Sequence, residues 1–158
     1  LLNMIIAKNS PDQGAEDFDY DLLPGLIGYN LRKAQAAAFQ NFTESLKGCD
    51  ITPGQFGVLV LIEANSGLNQ TRLGNALGID RSTVVAVIDR LEGRGLVDRK
   101  PAPSDRRSYA LHLTEQGRAL LHQARDLVVA HETRIAKNLN AVEQAQLIEL
   151  LSRIGGPS

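Results

Sequence analysis

Apolar residues recur at helical spacing from Leu22 to Gly48, through Ile27, Leu31, Ala34, Ala38 and Phe42. Gly48–Asp50 interrupts them, and Thr52-Pro53-Gly54-Gln55 is a strong helix start. Thr52 can cap, Pro53 fits the first helical position, and Gln55 can bond back to the cap. The apolar run Phe56–Ile62 follows and predicts a helix buried on most sides, stopped at Asn65-Ser66-Gly67. Asn69 can cap a short helix that buries Leu73 and Leu77 and ends at Gly78. After Gly78-Ile79, Asp80 can cap a second helix with Val84, Val87, Ile88 and Leu91 at i, i+3, i+4, i+7, ending near Gly93–Gly95. Two helices joined by a tight glycine-containing turn form the helix-turn-helix pattern.

The period then changes. Leu96-Val97 and Tyr109–Leu113 read as strands, with Tyr109, Leu111 and Leu113 expected on one face. The stretch Lys100–Ser108 between them reads as a hairpin tip with two prolines and the adjacent Arg106 and Arg107. It makes a poor core but a stiff basic finger. Thr114 then caps a long helix with apolar positions Leu120, Ala124, Leu127, Val128, Ile135 and Leu139. Asn140-x-x-Glu143 is a capping box for a last helix carrying Leu147, Leu150, Leu151 and Ile154. Leu120, Leu127, Leu139, Leu147 and Leu151 lack a second apolar layer in so short a chain, which predicts a homodimer. Residues 1–21, ending in the acidic run Glu16–Asp21, are expected to be a flexible arm, and residues 22–158 one domain.

At 158 residues the chain suits one domain with an added oligomerisation element. Hydrophobic residues make up 43%, enough to exclude wholesale disorder. Trp is absent and aromatics are 4%, which disfavours stacking platforms for single-stranded nucleic acid. One Cys excludes an internal disulfide framework. No apolar run reaches the ~20 residues that span a bilayer, and Leu1–Lys8 lacks the basic flank of a secretory signal, so a cytoplasmic location is expected. The net charge of −1 hides an asymmetry. Residues 70–107 hold eight bases (Arg72, Arg81, Arg90, Arg94, Arg99, Lys100, Arg106, Arg107) and five acids, net +3, leaving −4 elsewhere. Arginine suits phosphate and base-edge contacts. Arg81, Ser82 and Thr83 open the second helix of the motif, where side chains reach bases or phosphates. Arg90, Arg94 and Arg99 could do the same, but each has an acid nearby.

The order of elements is that of a winged helix-turn-helix: mainly α, with a small β-hairpin wing. It spans approximately residues 52–114, flanked by dimerisation helices at approximately 22–48 and 114–155. The chain resembles the MarR family of bacterial transcription regulators. The resemblance rests on Leu73–Asp80, Val87–Val97, and Asp105-Arg106-Arg107 with Leu113-Thr114-x-x-Gly117. It implies a regulator, mostly a repressor in this family, that binds a palindromic double-stranded operator as a homodimer and responds to a small effector, with no cofactor. It implies that a wing arginine, Arg107 with Arg106 beside it, enters the minor groove, oriented by Asp105. It implies DNA contacts from Arg72, Arg81, Ser82, Thr83 and Arg90. Many members place a polar residue and Arg where Val85 and Ala86 stand; these can touch thymine methyls but cannot read guanine. Family pockets implicate Tyr29, Arg32, Phe39 and Phe56, with Arg32 meeting a carboxylate or phosphate. The match looks closest to members that govern breakdown of aromatic acids.

Cys49 reads as a plain loop cysteine, and His112, His122 and His131 have no metal-pair spacing, so no metal is expected. No phosphate loop, nucleophile elbow or ordered acid pair marks an enzyme. A winged-helix module that binds protein rather than specific DNA remains the alternative, and Arg106-Arg107 argues against it.

Overall fold

A computed structural model describes residues 18–102 and 105–154, and the side chains of all of these except 102 and 105–108. The expected arm over residues 1–21 therefore lies outside the described residues, apart from 18–21. The described elements are α1 (Ile27–Ser45), α2 (Pro53–Ala64), α3 (Gln70–Leu77), α4 (Arg81–Gly93), β1 (Val97–Ala102), β2 (Asp105–Leu113), α5 (Glu115–Ile135) and α6 (Ala141–Arg153). The chain divides into two compact units, residues 1–40 and 41–158, and the division falls within α1.

In the first unit, the helix expected from Leu22 begins only at Ile27. Leu23–Gly25 instead form a single 3-10 turn with Pro24 inside it, and Leu26 is extended. Proline favours a first turn but cannot continue an α-helix ladder. The Asn30 amide donates to the carbonyls of Pro24 (2.9 Å) and Leu26 (2.8 Å), tying the turn to α1. At its other end α1 stops at Ser45, short of the expected Gly48. Asp50, at φ 49°, turns the chain.

In the second unit, α2 supplies part of the main core. The Thr52–Gln55 capping box forms in both directions, at 3.2 and 3.0 Å. Val58, Leu59 and Ile62 are buried and join Leu73, Val84, Ile88, Leu91, Leu96, Val97, Leu111 and Leu121 in one cluster. Between α3 and α4 the chain reverses at Gly78, whose φ of 63° is left-handed and costs little without a Cβ. Asn69 and Asp80 cap the two helices as their positions suggest.

The hairpin strands run farther than expected. β1 and β2 pair from Val97↔Leu113 to Pro101↔Tyr109, so Lys100 and Pro101 lie in the ladder rather than the tip. Proline is admissible there because both strands of a two-stranded sheet are edges. Tyr109, expected on the apolar face with Leu111 and Leu113, is 56% exposed. It pairs with Pro101 beyond the end of the core. Leu111 donates its N–H to the Leu68 carbonyl at 2.8 Å, adding one hydrogen bond at the sheet edge.

α5 starts against the end of this sheet. The Thr114 N–H donates to the Leu96 carbonyl (3.1 Å) and its hydroxyl to the Gly95 carbonyl (2.6 Å), while the same oxygen caps Gly117 N–H (2.9 Å). A Cβ on Gly117 would lie 2.0 Å from the Leu96 oxygen, so only glycine fits. Farther along, α5 packs with Phe42, Leu46, Cys49, Ile51 and Ala124 in a second cluster. Leu120 and Leu127 pack there too, so these two, expected to lack an apolar layer, have one in their own chain. α6 differs: no α6 residue is buried, and Leu147, Leu150, Leu151 and Ile154 are 41–49% exposed at i, i+3, i+4, i+7.

Gly117→Ala is expected to lower stability by about 2–3 kcal/mol, because the backbone clash outweighs the better helix propensity of alanine. That corresponds to roughly 5–10 °C in Tm by thermal unfolding. An unchanged Tm would show that α5 does not depend on this approach.

Candidate nucleic-acid interface

α4 turns its apolar residues inward and its N-terminal face outward. Val84, Ile88 and Leu91 are buried. Arg81, Ser82, Val85, Ala86 and Asp89 line one open groove along the outer face. These positions recur at i, i+1, i+4, i+5 and i+8, one stripe of a helix. Four of the five were expected from sequence to meet DNA; Asp89 was not.

Asp80 organises the start of α4. One carboxylate oxygen accepts the Thr83 N–H (3.0 Å) and the Ser82 hydroxyl, and the other accepts the Thr83 hydroxyl (2.6 Å). The hydroxyl bonds from Ser82 and then Thr83, followed by the Thr83 N–H, hold its carboxyl well below the usual range. Ser82 and Thr83 were expected to contact bases or phosphates directly; in the free chain both hydroxyl hydrogens are committed to Asp80.

The arginines divide into two sets. Arg72, Arg81 and Arg90 are exposed, and none has an ion-pair partner among the described residues. Arg94 instead donates to the carbonyls of Asp50 (2.5 Å) and Cys49 (3.2 Å). Arg99, which sequence left open as a phosphate contact, binds Asp89 and Glu92 of α4 with its two terminal nitrogens. With its amide oxygen turned toward Arg99, Gln70 of α3 accepts from Nε and Nη2 at 3.0 Å. Partial burial works against the guanidinium charge; the Asp89 hydrogen bond and the nearby Glu92 and Asp89 charges outweigh it and raise the Arg99 pKa. A planar fork satisfied on three sides is a clamp between α3, α4 and β1, not a free phosphate ligand. The turn at Gly93–Gly95 folds β1 back along α4, which is how residues seven and ten apart meet.

The remaining candidates fall elsewhere. The side chains of Asp105, Arg106 and Arg107 lie outside the described residues, although the backbone of β2 begins at Asp105. Tyr29, Arg32 and Phe39 sit on α1 in the first unit, within about 80° around the helix. Lys33 lies over the Tyr29 ring at 5.5 Å, Arg32 is exposed, and Phe39 is 52% exposed. Phe56 is in the second unit, half-buried, and meets Phe42 edge-to-face at 6.3 Å. Cys49, read as a plain loop residue, is buried, and burial pushes its thiol up, away from the reactive thiolate. His131 is buried as well, against Phe42, with Nδ1 2.9 Å from the Asn41 amide oxygen. Sequence gave no signal for that pair, because its members are 90 residues apart. Among the described residues no group of three or more His, Cys, Asp or Glu could hold a metal ion, and no helix is long and apolar enough to cross a membrane.

A helix-turn-helix with an uncovered second helix, followed by a two-stranded hairpin, defines a winged helix-turn-helix protein. The MarR family model matches residues 51–109. A protein of Thauera aromatica named as a transcriptional regulator for the hcr operon is 37% identical over 133 residues, covering 84% of this chain and 80% of that protein. Among solved structures, the transcriptional repressor CouR bound to a 23-mer DNA duplex is 42% identical with a TM-score of 0.83, covering 88% of this chain and 99% of that one. CouR bound to p-coumaroyl-CoA is 38% identical at the same TM-score, covering 90% and 100%. The chain belongs to the MarR family. It is a transcription regulator of that type and not an enzyme.

Arg99→Ala should leave Asp89 and Glu92 without their cation and reduce stability by about 1–2 kcal/mol in urea unfolding. Arg99→Lys should restore only part, since a point charge cannot bridge two carboxylates and an amide. Full stability of Arg99→Ala would remove the clamp.

Proposed function

We propose that the chain is a repressor that binds a palindromic operator as a homodimer and is released by an aromatic acid or its coenzyme A thioester. The observation that carries the DNA reading is the outward stripe of α4, which includes Arg81, together with exposed Arg72 and Arg90; none of the three has an ion-pair partner among the described residues. Arg94 and Arg99, by contrast, are tied to carbonyls and carboxylates; donor-only cations left facing water suit phosphates. Arg107, with Arg106 beside it and Asp105 orienting it, is assigned to the minor groove. The likeness to CouR bound to a 23-mer DNA duplex supports the DNA reading.

The uncovered leucine face of α6 supports the homodimer. Two copies would bring two recognition helices to successive major grooves, ~34 Å apart. The effector assignment rests on Tyr29, Arg32 and Phe39 sharing a face of α1. A guanidinium beside aromatic rings suits a planar apolar acid carrying a carboxylate or phosphate. The likeness to CouR bound to p-coumaroyl-CoA supports that class.

Fluorescence anisotropy with an operator selected from a duplex pool tests the DNA reading. Arg107→Ala should weaken binding by about 1–3 kcal/mol at matched salt, and Asp105→Ala by less. Saturation should come at two chains per duplex. Equal affinity for Arg107→Ala removes the wing role, and one chain per duplex removes the dimer.

Adding p-coumaroyl-CoA or the free acid to the complex should release DNA, with a ten-fold affinity loss equal to ~1.4 kcal/mol of coupling. Arg32→Ala should need much more effector. If a compound binds the free protein tightly yet leaves DNA affinity unchanged, the release mechanism is wrong. If Arg32→Ala responds as the parent does, Arg32 is not in the site.

A further inference from the structure

The hydroxyls of Ser82 and Thr83 carry one hydrogen each, and an ionised carboxylate can only accept. Asp80 takes both hydrogens, through the Ser82 bond to one oxygen and the 2.6 Å Thr83 bond to the other. The carboxyl stays ionised across the neutral range, being held well below its usual value by those bonds. What Ser82 and Thr83 present outward is therefore lone pairs alone.

We propose that Asp80 determines base specificity by fixing the hydrogen-bond polarity of Ser82 and Thr83, so that the start of α4 reads donor edges: adenine N6 or cytosine N4. The inference rests on the DNA-binding reading above and adds the class of base edge it selects. A duplex offers few donors in its major groove. Phosphate oxygens, guanine O6 and N7, and thymine O4 all accept, whereas adenine N6 and cytosine N4 donate. A hydroxyl engaged with Asp80 cannot donate to a phosphate, guanine or thymine without breaking a charge-assisted bond. Phosphate contact then falls to donor-only groups such as Arg81, which shares the groove with Ser82. Val85 and Ala86, next along the groove, offer only methyl contacts. Asp80 touches no base in this scheme; it is a positioning residue acting through two hydroxyls.

Asp80→Asn separates this role from capping. Asparagine is as good an N-cap as aspartate. Its amide oxygen can keep the Thr83 N–H and the Ser82 hydroxyl, while its NH2 takes the place of the oxygen that faced Thr83. That NH2 donates to the Thr83 hydroxyl and frees its hydrogen, which can then be given to guanine or thymine.

The test is affinity selection of the full chain, its Thr83→Val, Ser82→Ala and Asp80→Asn variants, on a pool of duplex DNA with randomised positions. Thr83→Val and Ser82→Ala identify the positions whose base preference depends on each hydroxyl. The parent should prefer adenine or cytosine there by about five-fold or more. Asp80→Asn should lose or reverse that preference at the Thr83 position, keep it at the Ser82 position, and retain the parent's circular dichroism. Guanine or thymine at those positions in the parent, an unchanged preference in Asp80→Asn, or no position that depends on either hydroxyl overturns the inference while leaving DNA binding intact. Should Asp80→Asn fold poorly, the parent's bases at the positions mapped by Thr83→Val and Ser82→Ala still decide it. A parent that enriches no sequence overturns the DNA-binding reading and this inference together.

Discussion

The passage of α5 over the Leu96 carbonyl holds the helix-turn-helix and the base of the hairpin in register. Thr114 ties itself to Gly95 and Leu96 and caps Gly117, and Gly117 has no Cβ because the Leu96 oxygen occupies that space. Leu96 ends the turn after α4, and Leu113 ends the returning strand, so one contact closes the loop containing the whole wing. From there the constraints pass outward. The β1–β2 register is fixed at its base, β2 bonds Leu68 ahead of α3, and Arg99 of β1 grips both helices of the helix-turn-helix. The outer face of α4 is thus oriented by packing on its inner side and by Arg99 at its edge, where it holds Asp89.

The allocation of charge follows the same logic. Arg94 and Arg99 satisfy carbonyls and carboxylates inside the unit, while Arg72, Arg81 and Arg90 are exposed and have no ion-pair partner among the described residues. Pairing Asp89 and Glu92 with Arg99 also neutralises two acids that would otherwise repel a phosphate backbone. A segment with a formal charge of only +3 can then present mainly positive groups where they matter.

Local signals made much of this legible in the sequence. The Thr52 and Asn140 capping boxes, the Asp80 cap and the Gly78 turn depend on residues within four positions of each other. The Leu113-Thr114-x-x-Gly117 fingerprint was recognisable as a pattern, and its cause, a close backbone approach, emerged only in three dimensions. Legibility failed where the deciding partner was distant or the choice was between two local bonds. Pro24 formed a separate 3-10 turn instead of opening α1, and the proline-bearing stretch looked like a tip although Pro101 pairs with Tyr109. Cys49 does lie in the turn after α1, but its burial in one cluster with Ala124 of α5 depends on a residue 75 positions away. The bonds of the Ser82 and Thr83 hydroxyls to Asp80, two and three residues back, fix which side of each hydroxyl faces outward, a polarity that residue types alone do not specify.

The functional proposal stands on Arg72, Arg81 and Arg90, exposed on α3 and α4, binding duplex DNA together with Arg106 and Arg107 of the wing. The most direct measurement is the affinity for a fixed duplex across a range of salt concentrations. Released counterions should make log affinity fall linearly with log salt, with a slope steeper than about −3, at roughly −0.9 per neutralised phosphate. A slope near zero, or no measurable binding at low salt, would contradict it.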